Sequence, residues 1–423
     1  MRRVSILLSL ALAFVTLGCR GDASRSAGPV VTRDTIGDTI VVRTESGSVW
    51  GDTRALTPTV SIGVLDGEDA YMFGSIAALA VAPDERIFVL DRQVPAVRLF
   101  SADGVHIRDL GRIGEGPGEY QEPDSGLAYL PDGRVVLRDP GTGKMVVFDD
   151  RGEHVEDWRL PYGGGFNTSR GFYWDSAGHL LTLTITNMGA PVTEWIRGFI
   201  RFDPTGAVLD TLLPPAWNFE PWMISGQREG SSSSTRVPYG PESLYYYSPL
   251  GYWIGGLNTD YRIDQFLPDG SVLRIERAWQ STPVHSGEAA LLRRRLEERF
   301  RDRFPGWSWN GPDVPETKPP YSNLYVADDG RIWVVVATPS EEFRTVAEAE
   351  EEERATGNVV NRWRAPIELD VFERTGEYLG RVTTPQGFSL SPRPVFRGET
   401  VWAVIRDELD VPRVARLELS PND

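Results

Sequence analysis

The chain has 423 residues, with 60 Asp and Glu against 44 Lys and Arg, a formal net charge of −16. So acidic a surface repels phosphate backbones and anionic headgroups, which argues against a role on nucleic acid or on the bilayer surface. The single cysteine excludes an internal disulfide and a Cys/His zinc site, so the fold rests on its core, to which 13 tryptophans contribute.

The first element is MRRVSILLSLALAFVTLGC: Arg2 and Arg3, an apolar run from Val4 to Leu17, then Gly18-Cys19. These are the basic, apolar and small-residue regions of an export signal, and the run is too short for a permanent spanning helix. The pattern resembles a bacterial lipoprotein signal in which residues 1–18 are removed and Cys19 carries the lipid. Thr16 stands where such signals most often have Leu, and an ordinary secretory signal with an incidental cysteine is the alternative. Cleavage takes off two arginines and no acid, which moves the net charge to −18. Residues 19–36 are small and polar and suit a flexible tether. Residues 37–423 remain as the folded domain.

A repeat organises that domain. An Asp/Gly turn, an alternating strand, a loop, a second strand ending in an aromatic and another Gly turn recur six times. The copies are APDERIFVLD…AVRLFSADGVHI (82–107), LPDGRVVLRD…KMVVFDDRGEHV (130–155), DSAGHLLTLT…GFIRFDPTGAVL (175–209), SPLGYWIGGL…YRIDQFLPDGSVL (248–273), ADDGRIWVVV…IELDVFERTGEYL (327–379) and FRGETVWAVIRD…RVARLEL (396–419). With one strand ahead of each Asp/Gly turn, every copy but the last is a four-stranded unit. Radial repetition of such units predicts an all-β, six-bladed β-propeller. The last copy lacks its outer strand, and TPTVSIGVLDG (57–67) has no other place, so it is expected to close the ring as the outer strand of blade six. An open solenoid or two separate β-domains is the rival arrangement.

RIFVLDRQVPAVRLFSADGVHIRDLGRIGEGPGEYQEP (86–123) resembles the six-bladed, NHL-like β-propeller lipoproteins of bacteria. The carriers are a strand ending in Asp, a V-R-x-F strand, a D-G turn and a G-x-G-P-G-E-[FY] loop. The resemblance is close over 58–155 and implies the fold, an envelope location and almost nothing about activity. The glycine-rich GRIGEGPGEY (111–120) has neither the lysine nor the following helix of a phosphate cradle. It reads as a blade-to-blade crossing anchored by Tyr120.

Short Asp/Gly turns occupy one rim of such a propeller, and every long connection falls on the other. These are 161–171, 185–197, 212–247, 279–322 and 337–366. Long loops on a rigid scaffold are where binding concentrates, so this rim and the channel mouth are the candidate site. Ser286 to Phe304 reads as a helix with Leu292, Leu296, Phe300 and Phe304 on one face, Ser286 as its N-cap and arginines elsewhere. Glu341 to Ala355 reads as a second, glutamate-rich helix. The two are either solvated faces or a charge-paired lid.

The four histidines are scattered, at His106, His154, His179 and His285, and no nucleophile or metalloprotease motif occurs. The candidate ligand-binding set comes from strand ends and crossings at the insertion-rich rim. It comprises Asp91, Arg92, Glu115, Glu119, Tyr120, Arg138, Asp139, Asn187, Asn258, Asp260, Tyr321 and Asn323, with Arg406-Asp407 also at a strand end. Six-bladed calcium-dependent lactonases hold their metal at this mouth with Asn, Asp and Glu, a donor set suited to a hard cation. Calcium is therefore a possible cofactor, and a strand-end Asp that only caps a turn is the plainer alternative. Aromatics crowd the same insertions: Trp217, Phe219, Trp222, Tyr239, Tyr245, Tyr246, Tyr247, Trp307 and Trp309. They suit stacking on a glycan or peptide, or packing of the loops themselves. The expected function is a monomeric, lipid-anchored envelope protein binding a protein, peptide or glycan, with a calcium-dependent hydrolase or lyase as the alternative.

Overall fold

A computed structural model of the chain describes residues 28–161, 170–187, 189–190 and 194–421. Cys19 and the whole of residues 1–27 lie outside the described residues, as does most of the 161–171 connection.

Six antiparallel four-stranded units surround one axis. Blade one is Ile76–Val81, Ile87–Asp91, Ala96–Phe100 and His106–Leu110, paired in that order. The inner strands of blades two to five begin at Leu127, Tyr173, Ser243 and Tyr321, and blade six pairs Val395–Arg397, Thr400–Arg406 and Pro412–Pro421. The chain is an all-β, six-bladed propeller. Inner strands alternate less than the sequence suggests because a blade buries both faces. Ile87 to Leu90 are all solvent-free, as are Val135 to Leu137.

Six apolar clusters lie between successive blades, one per interface. The cluster between blades one and two joins Phe88, Leu90 and Leu99 to Leu137, Val146 and Phe148. The one between six and one joins Trp402, Val404 and Val414 to Ile87, Val89 and Phe100. No blade is stable alone, because each sheet lends a face to two different cores.

Three strands precede blade one: β1 (Val30–Ile36), β2 (Thr39–Ser46) and β3 (Arg54–Ile62). β3 pairs antiparallel with Pro412–Pro421, from Arg54 opposite Pro421 to Ile62 opposite Val414, and is the outer strand of blade six. It also touches the outer strand of blade five in parallel at Arg54 and Ala55. Residues 30–36 are not a tether. β1 and β2 form a hairpin around Gly37, and β2 runs parallel to Val272–Arg277 as a fifth strand on blade four. Val41, Val42 and Thr44 are buried there, whereas β1 is exposed throughout. β-Branched runs flanking a Gly-Asp turn carried this signal in the sequence.

The short turns and the long connections segregate to opposite rims, as the strand order requires. Two helices stand on the insertion rim, α1 (Ser286–Arg303) and α2 (Val346–Thr356). α1 is capped not by Ser286 but by His285, whose Nδ1 accepts from the Gly287 amide at 3.1 Å. It buries Leu291 and Phe300. α2 starts later than expected, with Thr345 and Glu348 forming a reciprocal capping box.

Candidate functional site

The strand-end residues of the expected site are chiefly structural. Asp91 is solvent-free and accepts the amides of Gly74, Ser75 and Gln93 at 2.9–3.1 Å. Asp139 accepts the amides of Gln121 and Glu122 at 2.8 Å. Asn258 accepts the Glu242 amide at 2.7 Å and donates to the Tyr321 carbonyl. In three blades the same position thus fastens the chain as it enters its own inner strand, because those amides have no strand partner and would otherwise be buried unpaired. Asn187 does related work inside its loop, accepting from Ile196 and donating to the Glu194 carbonyl. Asp407 accepts the Leu409 and Val411 amides at 3.0 Å and pairs with Arg413.

Arg138, 2 % exposed, is locked by Asp124, Thr182 and the Arg170 carbonyl. Tyr321 is solvent-free and donates to the Arg262 carbonyl at 2.8 Å. Arg92 and Asp260 are exposed on loops outside the central cavity.

The 111–120 crossing is the blade-to-blade link expected of it. Tyr120 is buried, donates to the Leu110 carbonyl at 2.9 Å and accepts the Val97 amide, and burial pushes its phenol up to about 12. Gly111 and Gly118 both have positive φ, and a Cβ on Gly111 would meet the Gly118 carbonyl at 2.4 Å. Glu119 bonds the Gly116 amide and Arg112, which hold its carboxyl below the usual range. Glu115 accepts from Gln121. Neither glutamate lines the channel.

The axis holds a cavity of about 790 Å³, walled by the inner strands of all six blades. Of the twelve expected site residues only Asn323 lines it. Five arginines and two acids do: Arg170, Arg197, Arg236, Arg393 and Arg397, with Glu242 and Asp328. At the turn rim Arg397 is paired with Asp328 at 3.1 Å and donates to the Ala82 carbonyl. At the insertion rim Arg236 pairs with Glu242. Burial, and then the charges of Arg170 and Arg197, push the Arg236 guanidinium below its usual range.

Arg393 reaches in from the crossing between blades five and six. It lies 4.4 Å from the Tyr173 ring centre and 5.3 Å from that of Tyr246, and donates to the Phe172 carbonyl at 2.9 Å. Arg170 donates to the Tyr245 hydroxyl at 3.3 Å. Among the described residues, no carboxylate lies within ion-pair distance of Arg170, Arg197 or Arg393. Tyr245 and Tyr246 belong to the aromatics singled out in the sequence; the arginines do not. They fall on separate insertions and crossings, and no local pattern marks them.

The other rim aromatics pack the insertions together. Trp222, Trp307 and Trp309 surround Phe300 and Phe304 of the α1 region in a satellite core with Ile224 and Val237. Trp217 packs edge-on against Phe266. Tyr239 donates to Glu288 at 2.6 Å. Among the described residues no three His, Cys, Asp or Glu converge to hold a metal ion. The strand-end oxygens of Asp91, Asp139 and Asn258 are bonded to backbone amides.

Residues 60–163 match the model of the DUF5128 family, described as a 6-bladed beta-propeller. That span runs from the end of the closing strand through blades one and two. No curated protein matches the sequence. Among solved structures the chain is similar to a Bacteroides fragilis protein named as a candidate exported protein, at TM-score 0.47 and 11 % identity over 91 % of this chain and 100 % of that one. It is similar to a DUF4221 member of Bacteroides vulgatus at TM-score 0.48 and 9 % identity, over 88 % and 99 % of the two chains. It is also similar to virginiamycin B lyase of Staphylococcus aureus at TM-score 0.40 and 11 % identity, over 87 % and 100 %.

Proposed function

We propose that this six-bladed propeller is an exported, lipid-anchored binding protein that receives a segment of a peptide or glycan in its axial cavity from the insertion-rich rim. The observation that carries the reading is the cavity itself. It is large enough for a ligand of several rings, and its insertion-rim end is lined by side chains with unused hydrogen-bonding capacity. Arg170 and Arg197 are exposed at that end, so their guanidiniums are open to an incoming ligand. The insertions then serve as walls, with Arg236 and Glu242 from 212–247 at the lip.

The first test is Ser322→Trp. Ser322 is exposed, lines the cavity and has no side-chain hydrogen bond to lose among the described residues, so an indole there fills the bore without breaking the blade. On glycan and peptide arrays the protein is expected to retain ligands that the filled variant loses, at unchanged thermal stability. Equal binding by both would place the ligand elsewhere.

Anchoring rests on Gly18-Cys19 after the apolar run. The described residues contain no helix long and apolar enough to cross a membrane. Cys19→Ser is expected to move the protein from the membrane to the soluble fraction of its host. A variant still in the membrane pellet would count against the lipid.

A further inference from the structure

The charge inside the propeller opposes the charge outside it. The chain carries −16 overall, yet the insertion-rim end of the cavity has four arginines and one acid. The excess is built rather than incidental. Arg393 is clamped between two tyrosine rings and a carbonyl. Arg170 is tied by its backbone carbonyl to buried Arg138 and by its side chain to Tyr245. Arg197 sits at the rim end of its strand, with Gly198 following so that the backbone packs closely against Thr186 and Thr211. The undescribed residues nearest in sequence, 162–169 and 191–193, include no acid that would neutralise this group. Two guanidinium forks held in place, those of Arg170 and Arg393, with exposed Arg197 lining the same cavity, are an arrangement that takes up a planar oxyanion.

The rest of the wall narrows the class. Ser125, Ser243, Ser322 and Asn323 present small donors and acceptors around the same space. The wall also carries aromatic rings, among them Tyr173, Trp174, Tyr245 and Tyr246, on which the apolar face of a sugar ring can stack. Hydroxyl-matching groups beside a carboxylate receptor suit a sugar acid better than a hydrophobic peptide.

We propose that the cavity binds a hydroxylated carboxylate of the uronic-acid type, free or as the end of an acidic glycan, with Arg170, Arg197 and Arg393 on its carboxylate. This rests on the cavity-binding function above and assigns its ligand class. The acidic exterior keeps such polymers off the rest of the surface, so only the axis attracts them.

Calorimetry with galacturonate, trigalacturonate and the trimer's methyl ester tests it. The acid trimer is expected to bind roughly tenfold or more tightly than the ester, one charge-assisted pair being worth about that factor. Binding should weaken as salt rises. Arg197→Met, at an exposed residue with no side-chain partner among the described residues, is expected to lose about the same factor without loss of fold. Arg393→Met should lose more. Galacturonate binding as tightly as the trimer would identify the free sugar acid as the ligand, and tighter trimer binding the glycan end. Acid and ester binding alike would overturn the anionic assignment while leaving cavity binding intact. Displacement by inorganic phosphate as efficient as by the sugar acid would overturn the sugar-acid class in favour of a general anion site, and an Arg197→Met protein that binds like the parent would overturn the arginine assignment. Failure of the cavity reading itself would show separately, as ligands retained by the Ser322→Trp protein.

Discussion

Single residues hold this ring together at its seams. Asp370, on the third strand of blade five, is solvent-free and accepts four bonds: from Tyr261 and Tyr378 hydroxyls at 2.7 and 2.8 Å, from Arg381 at 2.6 Å and from Arg277 at 3.0 Å. Tyr261 and Arg277 come from blade four, so one carboxylate ties two blades. Its charge, against the cost of burial, holds the Arg381 guanidinium above its usual range. Burial pushes the Tyr261 phenol upward too, with the Asp370 charge adding to it. Asp370→Asn keeps the shape but leaves two guanidiniums facing an amide. A loss of about 3 kcal/mol in urea unfolding is expected, as for breaking a buried ion pair from one side. A loss below about 1 kcal/mol would mean the arginines find other partners, Glu368 being the nearest for Arg381. At the seam between blades six and one, Glu85 takes the left-handed conformation, φ 65°, that glycine holds in the equivalent turns. Its carboxylate accepts the Trp402 indole N–H at 2.9 Å, so the strain at blade one is offset by a bond to blade six.

The secondary elements divide into blades, which the repeat dictates, and insertions, which cohere through a polar node. Glu288 of α1 is buried and accepts from Tyr239 and from the Ser340 hydroxyl at 2.7 Å. Lys318 donates to the Thr338 carbonyl and to Ser340, and lies 3.8 Å from Glu288. Burial keeps the Lys318 ammonium below its usual range despite that neighbour. Tyr239, Lys318 and Ser340 belong to three different insertions, so all three are joined at this point. The expected zip of an arginine face against a glutamate face is only a small part of the assembly. Arg294 pairs with Glu353 across the two helices. Arg293 and Arg301 instead pair with Glu297 on their own helix, and Glu352 with Arg344 of its own insertion. His285 stacking on Trp363 at 4.3 Å supplies the apolar counterpart.

At the scale of the whole molecule, the ring closes by strand pairing alone. β3 brings the N-terminal part of the chain to the last strand, burying Leu56 and Ile62 in the cores on either side of blade six. A chain beginning at residue 64 would lose both side chains and the ladder with Pro412–Pro421. Upward of ~5 kcal/mol is at stake, since each large apolar core side chain accounts for about 2–5 kcal/mol. That rivals the whole stability of a domain. Such a chain is expected to unfold without a single cooperative transition. Melting like the parent would show that five complete blades suffice. The molecule's second large-scale property is its polarity of charge, acidic outside and basic along part of the axis, which the net charge conceals.

The six blades, the closing strand and the rim of the insertions were all legible in the sequence. A turn–strand–turn repeat of fixed order admits one way of burying both faces of every sheet, and alternation with Asp/Gly turns is local information. The extra hairpin on blade four was legible too, in a Gly-Asp turn between β-branched runs, but was obscured by the small polar residues before it. The site was not. Strand-end Asp91, Asp139 and Asn258 looked like ligands because residue type and rim position are visible in sequence, whereas the nearby amides they satisfy are not. Arg170, Arg197, Arg236 and Arg393 span more than two hundred positions of chain and line one cavity only because blades three, four and six converge on one axis. Which charges are paired and which are left facing a cavity depends on distances across that axis, and those only the closed ring sets.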